Sequence, residues 1–384
     1  MSNLNKWGGM DSYTWTGSKE TVKYYRQIAK AMEAIHAKIP KQDFHLNTVA
    51  TETDIREENF QGIQYKRAVM YLMSNGCEWA LKNGNGCTMC GHLAKQTRSD
   101  TAISADNYIA QFENEFKRIP FDQFPLLNVY NNGSIINERE IPSEALWRIL
   151  QMIGETPEIK MLVVETRPEF VTEEKIREIK RLLPNKHIEI AMGLELVDDF
   201  LRYVCINKGF TLKQYNKAAE IITREMHMRT YVLLKPPFLT EMEAIEQAVL
   251  AVEHSFRVGG TTVSLETCTI QDYTLVQVLS ERKGYKTAWL WSILEVVKRT
   301  AHLGKLIVGL FQFYPSPVGV PYNCPECSDR VLAALKEYNR TLDISALDGL
   351  DCSCRQQWEA ELREEPPTFE SRLAVLEDEW KAAD

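Results

Sequence analysis

Short uninterrupted apolar runs alternate along the chain with stretches of helical periodicity. The runs are Ala68–Ser74, Leu126–Tyr130, Met161–Glu165, Ile188–Leu194, Arg229–Lys235 and Thr261–Glu266. Runs of this length that do not alternate with polar residues predict strands buried on both faces. Between them, Ala105–Arg118 and Glu144–Met152 carry apolar residues at helical spacing, the second after Pro142-Ser143. Thr172, Thr211 and Thr240 each precede another helical pattern, and a threonine oxygen at that place can accept a first-turn N–H. Ala288–Leu303 closes the series, and Lys19–Ala37 predicts one earlier helix.

Six strands, each followed by a helix, predict a parallel α/β sheet with right-handed crossovers. Periodicity alone does not separate a doubly wound sheet from a barrel. In a barrel, chemistry gathers at the C-terminal ends of the strands, and the polar residues of this chain fall there. Asn131-Asn132-Gly133-Ser134 follows the second run, Glu165-Thr166-Arg167 ends the third, and Glu195 ends the fourth. Lys235-Pro236-Pro237 ends the fifth, and Glu266-Thr267-Cys268 ends the sixth. The pattern divides the chain into an N-terminal extension over 1–64, a barrel over 65–320, and a C-terminal segment over 321–384 that ends in an acidic helical tail, Pro367–Asp384.

The 384 residues include 45 basic and 53 acidic ones, for a net charge of −8. That balance lowers the expectation of a nucleic-acid substrate, which calls for a basic footprint; a local basic groove stays compatible with it. The longest apolar runs, such as Leu306–Phe311, are far short of the ~20 residues that span a bilayer. Met1–Tyr13 is polar, with no apolar leader, so the expectation is a soluble cytoplasmic protein.

Nine cysteines in such a chain point to metal or redox work rather than disulfides. Cys77, Cys87 and Cys90 share one glycine-containing loop, Gly76 to Gly91, after the first strand. Three thiolates there suit an iron–sulfur cluster with one open iron. They equally suit zinc, with His92 as the fourth ligand. Cys324, Cys327, Cys352 and Cys354 form two close pairs that suit tetrahedral zinc or a second [4Fe–4S] cluster. Cys205 and Cys268 stand alone; the plain reading of each is a small buried apolar residue.

The loop Cys77-Glu-Trp-Ala-Leu-Lys-Asn-Gly-Asn-Gly-Cys87-Thr-Met-Cys90 resembles the cluster loop of the radical S-adenosylmethionine (radical SAM) superfamily. Its first gap is nine residues wide where three is usual, which resembles the elongator-catalytic-subunit-like branch. Gly193-Leu194-Glu195, Asn207-Lys208-Gly209, Lys235-Pro236-Pro237-Phe238 and Trp289-Leu290-Trp291-Ser292 are most similar to the archaeosine synthase radical SAM family, over residues 65–355. Two segments depart from that family: Asn131-Asn132-Gly133-Ser134 stands where Thr-Ser-Gly-Ser is usual, and Leu265-Glu266-Thr267-Cys268 where Asn-Pro-Thr-Asn is usual. Both lie at strand ends, which points to a substrate other than the archaeal tRNA base.

The resemblance implies a partial (β/α)6 barrel that binds a [4Fe–4S] cluster on Cys77, Cys87 and Cys90, with SAM on the open iron. It implies reductive cleavage of SAM to a 5′-deoxyadenosyl radical, and hydrogen abstraction from a small polar or nucleoside-like substrate, with a C–S bond made or broken. An external ferredoxin- or flavodoxin-type reductant would supply the electron. Under this reading Asn131–Ser134 suits the SAM amino group, and Glu165 and Glu195 suit the ribose hydroxyls. Lys208 suits the carboxylate, with Arg167 in reserve, and the main chain near Met89 suits the adenine. Lys235 and Cys268 would face substrate, whereas Trp289 and Trp291 read as packing. The rival enzymatic reading is radical modification of a tRNA base; the rival of another class is a zinc-binding module without catalysis.

Overall fold

The computed structural model describes residues 19–40, 44–83, 86–97, 103–311 and 314–376. Eight strands form one sheet in the order of the chain. They are β1 (Asp54–Phe60), β2 (Ile63–Tyr71), β3 (Leu126–Tyr130), β4 (Met161–Glu165), β5 (His187–Glu195), β6 (His227–Leu234), β7 (Thr262–Thr267) and β8 (Lys305–Val308). Strands β1 and β2 pair antiparallel as a hairpin, and every later pair is parallel. The sequential order settles what periodicity left open: a doubly wound sheet reverses strand order at a switch point, and this one never does.

The six predicted runs become β2 to β7. All five residues of β3 are buried, as are the first four of β4, because the sheet is covered on both faces. Helices start where hydroxyl residues precede them. Thr172 accepts from the Lys175 N–H, Thr211 from Gln214 and Thr240 from Glu243. Each such cap is worth about 1 kcal/mol.

Strands β1 and β8 flank the six. The boundary read near residue 64 falls inside the β1–β2 hairpin, so the end of the stretch read as an extension is part of the sheet. The strand Asp-Ile-Arg-Glu-Glu-Asn-Phe carries no apolar signature, because its inward side chain Glu58 is ionic. Glu58 pairs with Arg67 on β2, with Arg229 on β6 at 2.6 Å and with Lys305 on β8 at 2.8 Å. Reaching from the first strand to the sixth and the eighth requires a curled sheet, a half-barrel with its lumen inside.

The gap between β1 and β8 is covered from the C-terminal segment. On the helix Ser328–Thr341, Asn339 exchanges two 2.8 Å hydrogen bonds with the Val308 backbone, and the Arg340 carbonyl accepts from Asn59 at 2.9 Å. Of the acidic tail, the short helix Phe369–Leu373 is described and 377–384 lie outside the described residues, as does Met1–Tyr13. Among the described residues no helix is long and apolar enough to cross a membrane.

Candidate active site

The C-terminal strand ends open into a cavity of about 620 Å³. Cys77, Cys87 and Cys90 line it from the loop after β2. That loop is tied down from four sides. Glu140 accepts from the Glu78 N–H at 3.0 Å and from Asn137 at 3.2 Å through one carboxylate oxygen. Its other oxygen accepts from the Ser134 N–H at 2.6 Å and from Asn131 at 3.1 Å. Asn207 donates to the Gly86 carbonyl at 2.6 Å, Thr88 donates to the Cys205 carbonyl at 2.6 Å, and Gln271 accepts from the Gly91 N–H at 2.7 Å. A Cβ on Gly133 would overlap the Glu140 carboxylate and come within 3.3 Å of the Cys77 Cα, so only glycine lets these loops meet.

Charged groups face the thiols. The Arg167 guanidinium lies between the rings of Trp79 and Phe210, 5.0 and 5.5 Å from their centroids. It pairs with Glu169 at 2.6 Å, and its buried Nη2 has no hydrogen-bond partner among the described residues. The partly buried Lys208 ammonium donates to Glu195 at 2.8 Å. Gly193 makes room for that pair, since a Cβ there would overlap the Glu195 carboxylate and lie 2.7 Å from the Lys208 nitrogen. Burial lowers the Lys208 pKa, but Glu195 and Cys87 outweigh it and hold the amine charged. Glu165 also lines the cavity, and burial pushes its carboxyl up to about 7.

Met89, Asn132, Gly133, Arg167, Glu195, Lys208 and Cys268 line this same cavity, so most of the residues singled out in the sequence converge here. Asn131 and Ser134 lie beneath it: both are fully buried, on Glu140, and the Ser134 hydroxyl accepts from the Arg167 N–H at 3.0 Å. Lys235 turns away and points to Glu241 at 3.5 Å, under the Tyr285 ring. Cys205 is wholly buried in the core.

Burial pushes the thiols of Cys77 and Cys90 up to about 11 and 12, and raises Cys87 as well. His92 also lines the cavity, and burial lowers its pKa to about 4, so the ring is neutral at pH 7. The second cysteine group is much tighter. Cys324, Cys327, Cys352 and Cys354 bring their sulfurs within 4.8 Å of one another, the closest ligand grouping of this kind among the described residues. Three sulfur pairs stand at 3.6 Å. A tetrahedral ion with Zn–S near ~2.3 Å sets sulfurs about 3.8 Å apart. A four-iron cluster spreads its thiolates wider, since irons and sulfides lie between them. The spacing therefore suits one ion. Trp291 donates its ring N–H to the Cys354 sulfur at 3.3 Å, and Asn323 donates to Cys327 at 3.6 Å. Cys327 and Cys354 each stand at the N-cap position of a helix, which fixes the backbone that carries them, and burial raises both thiols. Trp289 donates to Glu361 at 2.8 Å, so both tryptophans anchor the C-terminal segment to the barrel.

Sequence reasoning missed Glu140 and Gln271, and named Asn207 only within a motif, without its hold on the cysteine loop. Each acts across 62 or more residues, and no local pattern marks such a contact.

No family model matches this chain. The archaeosine synthase subunit beta of Methanosarcina acetivorans is 32% identical over 316 residues, covering 80% of this chain and 88% of that protein. The subunit of the same name from Thermococcus kodakarensis is 31% identical over 314 residues, covering 79% and 94%. Among solved structures, methylornithine synthase aligns over 96% of this chain and 94% of its own, at 12% identity and a TM-score of 0.47. At 32% and 31% identity over about four fifths of its length, the chain belongs to the family of the archaeosine synthase beta subunits.

Proposed function

We propose that Cys77, Cys87 and Cys90 hold a [4Fe–4S] cluster at the mouth of the half-barrel, and that SAM binds beside it to begin radical chemistry on a small polar or nucleoside-like substrate. The observation that carries this reading is the convergence of three thiols, a cation with a free N–H and a lysine–carboxylate pair on one cavity. The donor set fits the group. Three soft ligands leave one corner for an outside ligand, and the three cysteines are not drawn together as tightly as the single-ion site near the C-terminus.

When bound, the reduced cluster and SAM together supply a 5′-deoxyadenosyl radical that removes a hydrogen atom from the substrate. The chain's own residues bind, orient and exclude water. Arg167 offers its unpartnered Nη2 to the SAM carboxylate, taking the role for which Lys208 was the first choice. Lys208 is already neutralised by Glu195, and the pair together suits the ribose hydroxyls and their surroundings. The Asn132 amide nitrogen, buried and unpartnered, is a second donor for the carboxylate. Making or breaking a C–S bond is the finer step suggested by the family resemblance.

A second reading is supported by the relatives: they are named as subunits of an archaeosine synthase, which brings a nucleic-acid base and a partner chain into view for this protein too. At the C-terminal cysteines we assign zinc, held as a structural clasp.

The test is anaerobic reconstitution followed by metal analysis and incubation with SAM and dithionite. About four irons beyond the clasp metal, absorbance near ~400 nm and release of 5′-deoxyadenosine are expected, with all three lost in Cys87→Ala. Zinc alone after reconstitution would leave the non-catalytic module standing. A shift of transfer RNA on a native gel would favour the second reading over the first.

A further inference from the structure

Inside the half-barrel, below the cysteine loop, two carboxylates stand outside any ion pair among the described residues, with Lys208, Arg56 and Arg229 acting on them only from farther off. Glu266 on β7 receives the Ser264 hydroxyl at 2.6 Å on one oxygen. Its other oxygen, Oε2, is buried and has no hydrogen-bond partner among the described residues. Glu165 on β4 lines the same cavity, and the Tyr231 hydroxyl serves it as a hydrogen-bond donor. Neither makes an ion pair among the described residues, whereas Glu58, Glu189, Glu195 and Glu241 each have a basic partner. Thr267, next to Glu266, lines the cavity, is 2% exposed, and has a hydroxyl with no partner among the described residues.

Two cations on this part of the wall are already committed. Arg56 is held by Asp54 at 2.7 Å and by the Tyr71 hydroxyl at 3.3 Å, and Arg229 by Glu58 and Glu189. Part of the remaining wall is aromatic: Tyr71 packs against Tyr130 and Tyr314 with centroids 5.4 and 5.5 Å apart, and the Tyr130 and Tyr231 hydroxyls meet at 3.1 Å. Unpaired carboxylates beside aromatic faces form a receptor for a cationic nitrogen group. The chain also makes room for this arrangement. A Cβ on Gly309, just past β8, would overlap the Glu266 Oε2.

We propose that Glu266, with Glu165 and the Thr267 hydroxyl, is the substrate subsite, and that it takes an amine, amidine or guanidine cation. The assignment rests on the reading of the cavity mouth as the SAM site. Donors at Arg167 and Asn132 face that mouth, and acceptors lie on β7, so the two ends of the cavity select ligands of opposite polarity. Burial raises both carboxyls, which is the cost a cationic ligand would relieve.

The experiment uses the cluster-reconstituted protein saturated with SAM, titrated calorimetrically with benzamidinium and with benzamide, its neutral isostere. Benzamidinium should bind at least tenfold more tightly. Glu266→Gln should erase most of that preference, and so should Gly309→Ala, which displaces the carboxylate without removing its charge. Equal binding of the two probes, or a preference that survives both substitutions in folded protein, overturns the proposal. SAM binding and 5′-deoxyadenosine release are read on the same preparation. If these fail while the benzamidinium preference holds, the SAM reading falls and the cation subsite stands.

Discussion

Replacing Glu140 by glutamine tests how the first cysteine is held. Glu140 is 8% exposed, and its two oxygens accept from four donors: the N–H groups of Glu78 and Ser134 and the amides of Asn131 and Asn137. Burial pushes this carboxyl up while those donors pull it back. In glutamine one oxygen becomes an NH₂, so two of the donors face another donor. Hydrogen bonds to a charged acceptor are worth about 1.5–3 kcal/mol each, and losing two costs about 3–6 kcal/mol in a rigid site. The site can relax only by parting the Asn131–Ser134 turn from the segment carrying Cys77 and Glu78. We expect Glu140→Gln to lose several degrees of melting temperature and to bind fewer than four irons at the cysteine loop. Its rate of 5′-deoxyadenosine release should fall about 100-fold, the scale of effect of displacing a reacting group by 1 Å. Glu140→Asp, one methylene too short to span the four donors, should not rescue it. Full iron, a rate within twofold of the parent and an unchanged melting temperature in Glu140→Gln would refute the reasoning.

Gly193→Ala should push Glu195 away from Lys208 and weaken SAM binding at least tenfold with the fold intact, read by calorimetry; unchanged affinity would detach that pair from the ligand. Glu165 has a folded pKa raised from 4.5 to about 7, so the folded state keeps a proton that the unfolded state gives up. Its stability contribution is present below pH 4.5 and is lost as pH rises through 7, by up to about 3 kcal/mol. Glu165→Gln should therefore stabilise the protein at pH 8 and hardly change it at pH 5; thermal melts at both values check the sign. Cys324→Ala should remove one zinc per chain and lower the melting temperature while the cysteine-loop iron stays near four, whereas loss of iron with zinc retained would exchange the roles assigned to the two sites.

Much of this protein is legible residue by residue. Continuous apolar runs can only be strands covered on both faces, and β3 and β4 fall on the predicted residues. Threonines 172, 211 and 240 cap helices because a hydroxyl reaches an N–H three residues on, a contact that needs no distant partner. The triple-cysteine loop and the close pairs Cys324/Cys327 and Cys352/Cys354 announce themselves by spacing, since segments that short keep their own ligands together, whereas the fold brings the two pairs to each other across 27 and 28 residues.

What the tertiary structure alone decided are the contacts made across the curl. Strand β1 is polar in sequence because its inward glutamate meets Arg229 and Lys305, 171 and 247 residues away. Glu140 holds the cysteine loop from 62 residues beyond it, and the choice between Asn131 below the cavity and Asn132 on it depends on which way one turn faces. The pairing of Lys208 with Glu195, and the 3.6 Å sulfur spacing that suits a single ion, are likewise distances. Local propensity acts through neighbours a few residues apart, so it can name the elements. Only closure of the sheet brings their ends around one cavity and decides which charges are neutralised and which remain for a ligand.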